Sequence, residues 1–87
     1  MNLTRIVDLV AQVHGPNHPA LGKVRDAYHR VEKQAPTFAD PAAVRRDLHE
    51  IRLLSNNFQT PADGCDAYRL MDRGLAAYES QVLARLG

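Results

Sequence analysis

Apolar residues recur at spacings of three and four in four separate stretches, and no stretch alternates strictly enough to make a half-buried strand. The chain is predicted to be all-α. In the first stretch Leu3, Ile6, Val7, Val10 and Val13 share one helical face, Asn2 stands as an N-cap, and Gly15-Pro16 stops the pattern. Pro19 suits a first helical position, where a backbone N–H has no intrahelical acceptor to lose, and Asn17 and His18 are cap candidates in front of it. Leu21, Val24, Tyr28, Val31 and Ala35 then carry a stripe along this second segment. Asp40-Pro41 repeats the start signal ahead of Val44, Leu48, Ile51, Leu54 and Phe58, and Asn56-Asn57 marks a fraying end. Thr60-Pro61-Ala62-Asp63 reads as N-cap, N1 proline and N3 acid before a stripe of Tyr68, Met71, Leu75, Tyr78 and Val82 that Leu86 extends.

The predicted helices therefore cover about residues 3–13, 19–34, 41–57 and 61–86. Links of about four to six residues make neighbours antiparallel, so the expected architecture is a small four-helix up-down bundle. Its expected core is Leu21, Val24, Tyr28, Leu48, Ile51, Tyr68, Met71, Leu75 and Tyr78.

At 87 residues the chain has room for one domain, expected to span residues 1–87. A net charge of +1 supplies no positive field for nucleic acid, and it weakens a DNA-binding reading of Arg45, Arg46 and Arg52 on the third segment. Cys65 is the only cysteine, which excludes an intramolecular disulfide and favours the cytoplasm. No run approaches ~18 apolar residues, and the N-terminal stretch carries Arg5 and Asp8 without a small-residue cleavage site, so neither a membrane span nor a secretion signal is expected.

Candidate chemistry is sparse. His14 and His18 are four apart, a spacing that on a helix aims two imidazoles at one metal, but Gly15, Pro16 and Pro19 place them in a turn. Two readings remain, turn and capping roles or a weak metal site. His29 falls about 120° from its helix's apolar stripe and His49 almost opposite its own, so both are expected to face water. Asp47 and Glu79 fall nearest the stripes, either as partly buried acids or as edge residues paired with Arg45 or Arg85. Cys65, in the predicted first turn of the fourth helix, is either a thiol with a lowered pKa or a small packing residue, and Gly74 marks a close-packing spot. With no Ser, His and Asp constellation, glycine-rich phosphate loop or HExxH, enzymatic activity is not expected.

Two stretches carry a resemblance. The first is Val13-His14-Gly15-Pro16-Asn17-His18-Pro19 with Leu21 following; the second runs from Leu48 to Cys65, above all Ile51-Arg52-Leu53-Leu54-Ser55-Asn56-Asn57-Phe58 with Pro61 and Cys65. Together with Tyr78-Glu79 they resemble the RIC family, the hemerythrin-like di-iron proteins implicated in Repair of Iron Centres after nitric-oxide or oxidative damage. The resemblance implies that these stretches are the turns joining the first two and the last two bundle helices. It also implies a di-iron site of histidines and bridging glutamates in the other half of the bundle, and those ligands are missing. Gln34-Ala35-Pro36-Thr37-Phe38-Ala39-Asp40 replaces the His and Lys-Glu run of helix two, and Pro41 and Arg85 fall where histidines of helices three and four are expected. On this reading the chain also starts after the first helix's histidine, ends before the last glutamate and lacks the family's cysteine-bearing module. The expectation is a hemerythrin-like half-bundle with no cofactor, acting by binding protein in iron-centre repair or a stress response. The alternative is an iron-binding protein that takes part in iron-sulfur repair, with His14 and His18 paired from two chains.

A half-length bundle has a small core, and such chains often supplement it by association. A homodimer is expected, with Phe38, Leu83 and Leu86 at the shortened end near the contact, where Phe38 either folds back over the open end or meets a second chain. Leu53 and Leu70, far from their apolar stripes, form the rival surface.

Overall fold

The computed structural model describes residues 2–87. Four helices follow in order, α1 (Leu3–His14), α2 (Ala20–Gln34), α3 (Pro41–Leu54) and α4 (Asp66–Leu86), and among the described residues there is no β-strand. None of these helices is long and apolar enough to cross a membrane. Two of the four begin on the caps the sequence announces. Asn2 Oδ1 accepts the Thr4 N–H at 2.8 Å, and Asp40 Oδ1 accepts the Ala43 N–H at 3.1 Å with Pro41 opening α3.

The connectivity is up-down-up-down. The link before α2 and the loop before α4 meet at one end, where the His14 and His18 rings both lie edge-on to Tyr68. At the other end the α2–α3 link meets the last turn of α4, where Arg85 donates to the Pro36 carbonyl and lies 5.4 Å from the Phe38 ring centroid. α1 packs between α2 and α4, α2 lies along α3, and the backbones of diagonal helices stay apart. Only side chains cross the diagonal: the Tyr28 and Tyr78 rings are 5.0 Å apart, and Tyr78 donates to Glu32 Oε2 at 2.5 Å.

Helix length divides the interior. α1 has 12 residues and α4 has 21, so at ~1.5 Å per residue α1 lines little more than half of α4. Leu3 packs on Gly74, where an added Cβ would sit 2.7 Å from Leu3 Cδ1, and Thr4 shares a 2.8 Å hydrogen bond with the Tyr28 hydroxyl. Gly74 is the close-packing spot its position suggests. Below that level all four helices build one core, including Val7, Val10, Leu21, Val24, Tyr28, Ile51, Tyr68, Met71 and Leu75. Above it a second cluster of Val31, Phe38, Val44, Leu48 and Val82 is lined by α2, α3 and α4 with the α2–α3 link. Tyr78 bridges the two and is half-buried, not a full core residue as expected.

Four further expectations are corrected. α3 stops at Leu54 instead of Asn57, because Asn56, Asn57 and Phe58 turn left-handed at φ of 52°, 59° and 63°. Asparagine tolerates that region, whereas Phe58 adopts it under strain. α4 begins at Asp66 and not at 61, because both presumed capping side chains are engaged elsewhere, Thr60 by Asp72 and Asp63 by His18. The chain instead turns tightly at Gly64, where a Cβ would come within 2.3 Å of Thr60 Cγ2. Val13 is exposed because His14 takes the inward place one turn beyond Val10, and α2 begins at Ala20 without a side-chain cap.

Phe38, proposed for a dimer contact, is 7% exposed and folds back over the open end of the upper cluster. It is a plug, and its ring is not free to meet a second chain. Truncation should therefore act on stability: Phe38→Ala is expected to lose ~3–5 kcal/mol and Leu75→Ala ~2–5 kcal/mol in denaturant unfolding. A loss below ~1 kcal/mol for either would contradict its place in the interior.

Candidate functional site

The polar side chains gather at the end where the two turns meet. His14 closes α1 and its Nε2 lies 3.2 Å from Cys65 Sγ, while His18 Nε2 lies 2.9 and 3.0 Å from the two carboxylate oxygens of Asp63. The hydrogen bond from His18 holds the Asp63 carboxyl below its ordinary range. Tyr68, from the first turn of α4, fills the space between the imidazoles, with ring centroids 5.2 Å from His14 and 5.9 Å from His18. Each histidine thus closes one strut between the two turns. Among the described residues no three His, Cys, Asp or Glu side chains converge where a metal could sit.

Beside these struts a cleft of about 470 Å³ opens between the start of α2, the end of α3 and the first turns of α4. Leu21, Val24, Leu54 and Met71 form its apolar wall, and Asn17, His18, Gln59 and Thr60 stand among its polar residues. Asp72 also lines it and is 2% exposed. Thr60 Oγ1 donates to Asp72 Oδ2 at 2.6 Å, whereas Oδ1 is buried without a hydrogen-bond partner. Desolvation by burial raises the Asp72 pKa, with the Thr60 hydroxyl opposing the shift. The sequence carried a signal for this residue, which follows Tyr68 by four and precedes Leu75 by three on the apolar stripe.

The other candidates scatter. Glu79 is buried and takes a two-pronged ion pair from Arg52, at 2.5 and 2.9 Å, and not from Arg85. Arg52 also donates to Asn57 Oδ1 and lies 5.1 Å from the Phe58 ring centroid, so one guanidinium ties α4 to the left-handed turn. Asp47 pairs with Arg30 of α2 at 3.0 Å instead of Arg45. His29 is partly exposed but bonded to Asp8 of α1 at 2.7 Å, and His49 faces solvent. Leu53, Leu70 and Leu83 are exposed and Leu86 is half-buried against the upper cluster. Cys65 is exposed and stands at the N-cap position of α4.

Compared with models of known protein families, with curated proteins and with solved structures, the chain matches none. Among the described residues, Asp72 Oδ1 is the one buried side-chain nitrogen or oxygen without a hydrogen-bond partner.

A carboxyl with a raised folded pKa favours the native state while protonated. As pH rises through the usual carboxylate range the unfolded chain gives up this proton first, and the contribution of Asp72 is lost as pH passes the folded pKa. Asp72→Asn removes the titration and retains a polar partner for Thr60. The stability of the variant minus that of the wild type should therefore rise between about pH 3 and pH 7. Denaturant unfolding across that range checks it, and a constant difference would contradict the burial of Asp72 as a titrating group.

Proposed function

We propose that this chain is a RIC-like, hemerythrin-like helical module without an intact di-iron site. It acts by binding protein, not by catalysis, in the repair of iron centres or the response to nitric oxide and oxidative stress in the cytoplasm. The observation that supports this reading is the meeting of the two stretches that carry the resemblance. The turns within residues 13–21 and 48–65 come together at one end of an up-down bundle, joined by the His14–Cys65 and His18–Asp63 contacts. Four further motif residues, Arg52, Asn57, Phe58 and Glu79, form a single linked group that fixes the second turn. At the opposite end, Phe38 fills the space beneath the α2–α3 link and Arg85 covers its ring. An apolar plug at that level supports the reading without an iron site there.

Leu53 and Leu70, 66% and 46% exposed, are the residues this reading assigns to a partner surface, with Leu83 near the other end of α4. In the homodimer proposed from the small core, the contact is assigned to these leucines now that Phe38 is internal.

Metal analysis of protein purified without a histidine tag is expected to find far less than one iron per chain. Near-stoichiometric iron would overturn the reading in favour of the iron-binding alternative at His14 and His18, although each imidazole already engages a partner through Nε2. Sedimentation at micromolar concentration is expected to give twice the 9.7 kDa chain mass, and Leu53→Asp with Leu70→Asp to return it to the monomer. A wild-type monomer ends the homodimer.

A further inference from the structure

The cleft at the turn end holds a carboxyl that the chain itself satisfies at only one of its two oxygens. Asp72 is 2% exposed, its Oδ2 accepts from Thr60 and its Oδ1 accepts from nothing. None of the residues lining the cleft is Lys or Arg, and its one imidazole, His18, is turned to Asp63. A buried carboxylate is unfavourable unless a cation or several donors meet it. Here one of its two oxygens has neither. The apolar wall of Leu21, Val24, Leu54 and Met71 lies in the same cleft, whose 470 Å³ falls in the range of small-molecule sites.

We propose that this cleft binds a small organic cation, a primary ammonium on a compact apolar body, with its N–H donors on Asp72 Oδ1 and its hydrocarbon against Leu21, Val24, Leu54 and Met71. The chemistry selects this class over its rivals. An anion finds no Lys or Arg in the cleft, and its one imidazole, His18, is already engaged by Asp63. A metal ion needs several converging ligands, and no three such groups come together among the described residues. A neutral molecule or a water can donate to Oδ1 but does nothing to favour the carboxylate over the buried acid, whereas an ammonium supplies both the donor and the opposite charge. Thr60 holds the carboxyl in place through Oδ2, which leaves Oδ1 as the recognition atom. This assignment stands independently of the RIC-like reading.

The test is a nuclear magnetic resonance titration of the full isotope-labelled chain at neutral pH with two probes of one shape, benzylamine and the uncharged benzyl alcohol. Benzylamine is expected to bind saturably, with the largest amide shifts at Leu21, Thr60, Met71 and Asp72, and at least about tenfold more tightly than benzyl alcohol. Asp72→Asn is expected to remove that preference, so that the two probes bind with similar affinity. Equal affinity for the two probes in the wild-type chain overturns the proposal, and so does saturation at residues outside the cleft or the absence of saturable binding. Because the two-probe comparison needs only the wild-type protein, it decides the matter even where the substituted chain does not fold.

Discussion

The mismatch between a 12-residue α1 and a 21-residue α4 is the constraint from which the rest of this bundle follows. Four helices of equal length can bury one continuous core, but a short first helix leaves the upper part of α4 facing only two neighbours. The chain resolves this at two places. At the level where α1 begins, Tyr28 and Tyr78 fill the width between diagonal helices, and their hydroxyls reach Thr4 and Glu32 at the surface. Above that level Phe38 adopts a positive φ and turns its ring inward, with Arg85 over its face. Burial raises the pKa of both tyrosines and Glu32 adds to the shift, with the Thr4 hydrogen bond opposing it at Tyr28, so both hydroxyls stay protonated through the neutral range.

At the opposite end the same economy of material is seen in the capping residues. Thr60 and Asp63 have the right identity and spacing to start a helix, but they lie on the loop that must reach both α2 and α4. A cap on an exposed helix end is worth ~1 kcal/mol, about what a hydrogen bond elsewhere contributes. A buried carboxyl without any donor is less favourable than either. Thr60 therefore serves Asp72, Asp63 serves His18, and α4 starts later, at Asp66, with no side-chain cap from Cys65. The cleft lies beside this loop, with Thr60 and Pro61 on one side and Leu21 and Met71 on the other.

Charge pairing between helices follows a similar logic. Arg52 meets Glu79, Arg30 meets Asp47 and Glu50, and His29 meets Asp8, in each case on a neighbouring helix. Most of these groups are half-exposed, so each pair adds little stability. Their value lies in register. The Arg52 pair is the exception, because Glu79 is buried and its two oxygens are both taken by the one guanidinium. That arginine also holds Asn57 and covers Phe58, which adopts a left-handed backbone that a phenylalanine does not choose alone.

What the sequence by itself determined is the helical class, four segments, the Asn2 and Asp40 starts and most of the core, since apolar spacing and local caps act within a few residues of themselves. Gly74 was legible for the same reason, and Asp72 could have been read from its place between Tyr68 and Leu75. The ion-pair partners were not legible. Periodicity puts Glu79 near the core, but only the packing of α3 beside α4 chooses Arg52 over Arg85. The ends of α3 and α4 escaped for a related reason: a residue such as Thr60 or Asp63 has two uses of similar energy, one local and one across the fold. Tertiary structure alone decided between them, and with them the cleft, because the partners that tip the balance, Asp72 and His18, lie 12 and 45 residues away along the chain and become neighbours only when the bundle closes.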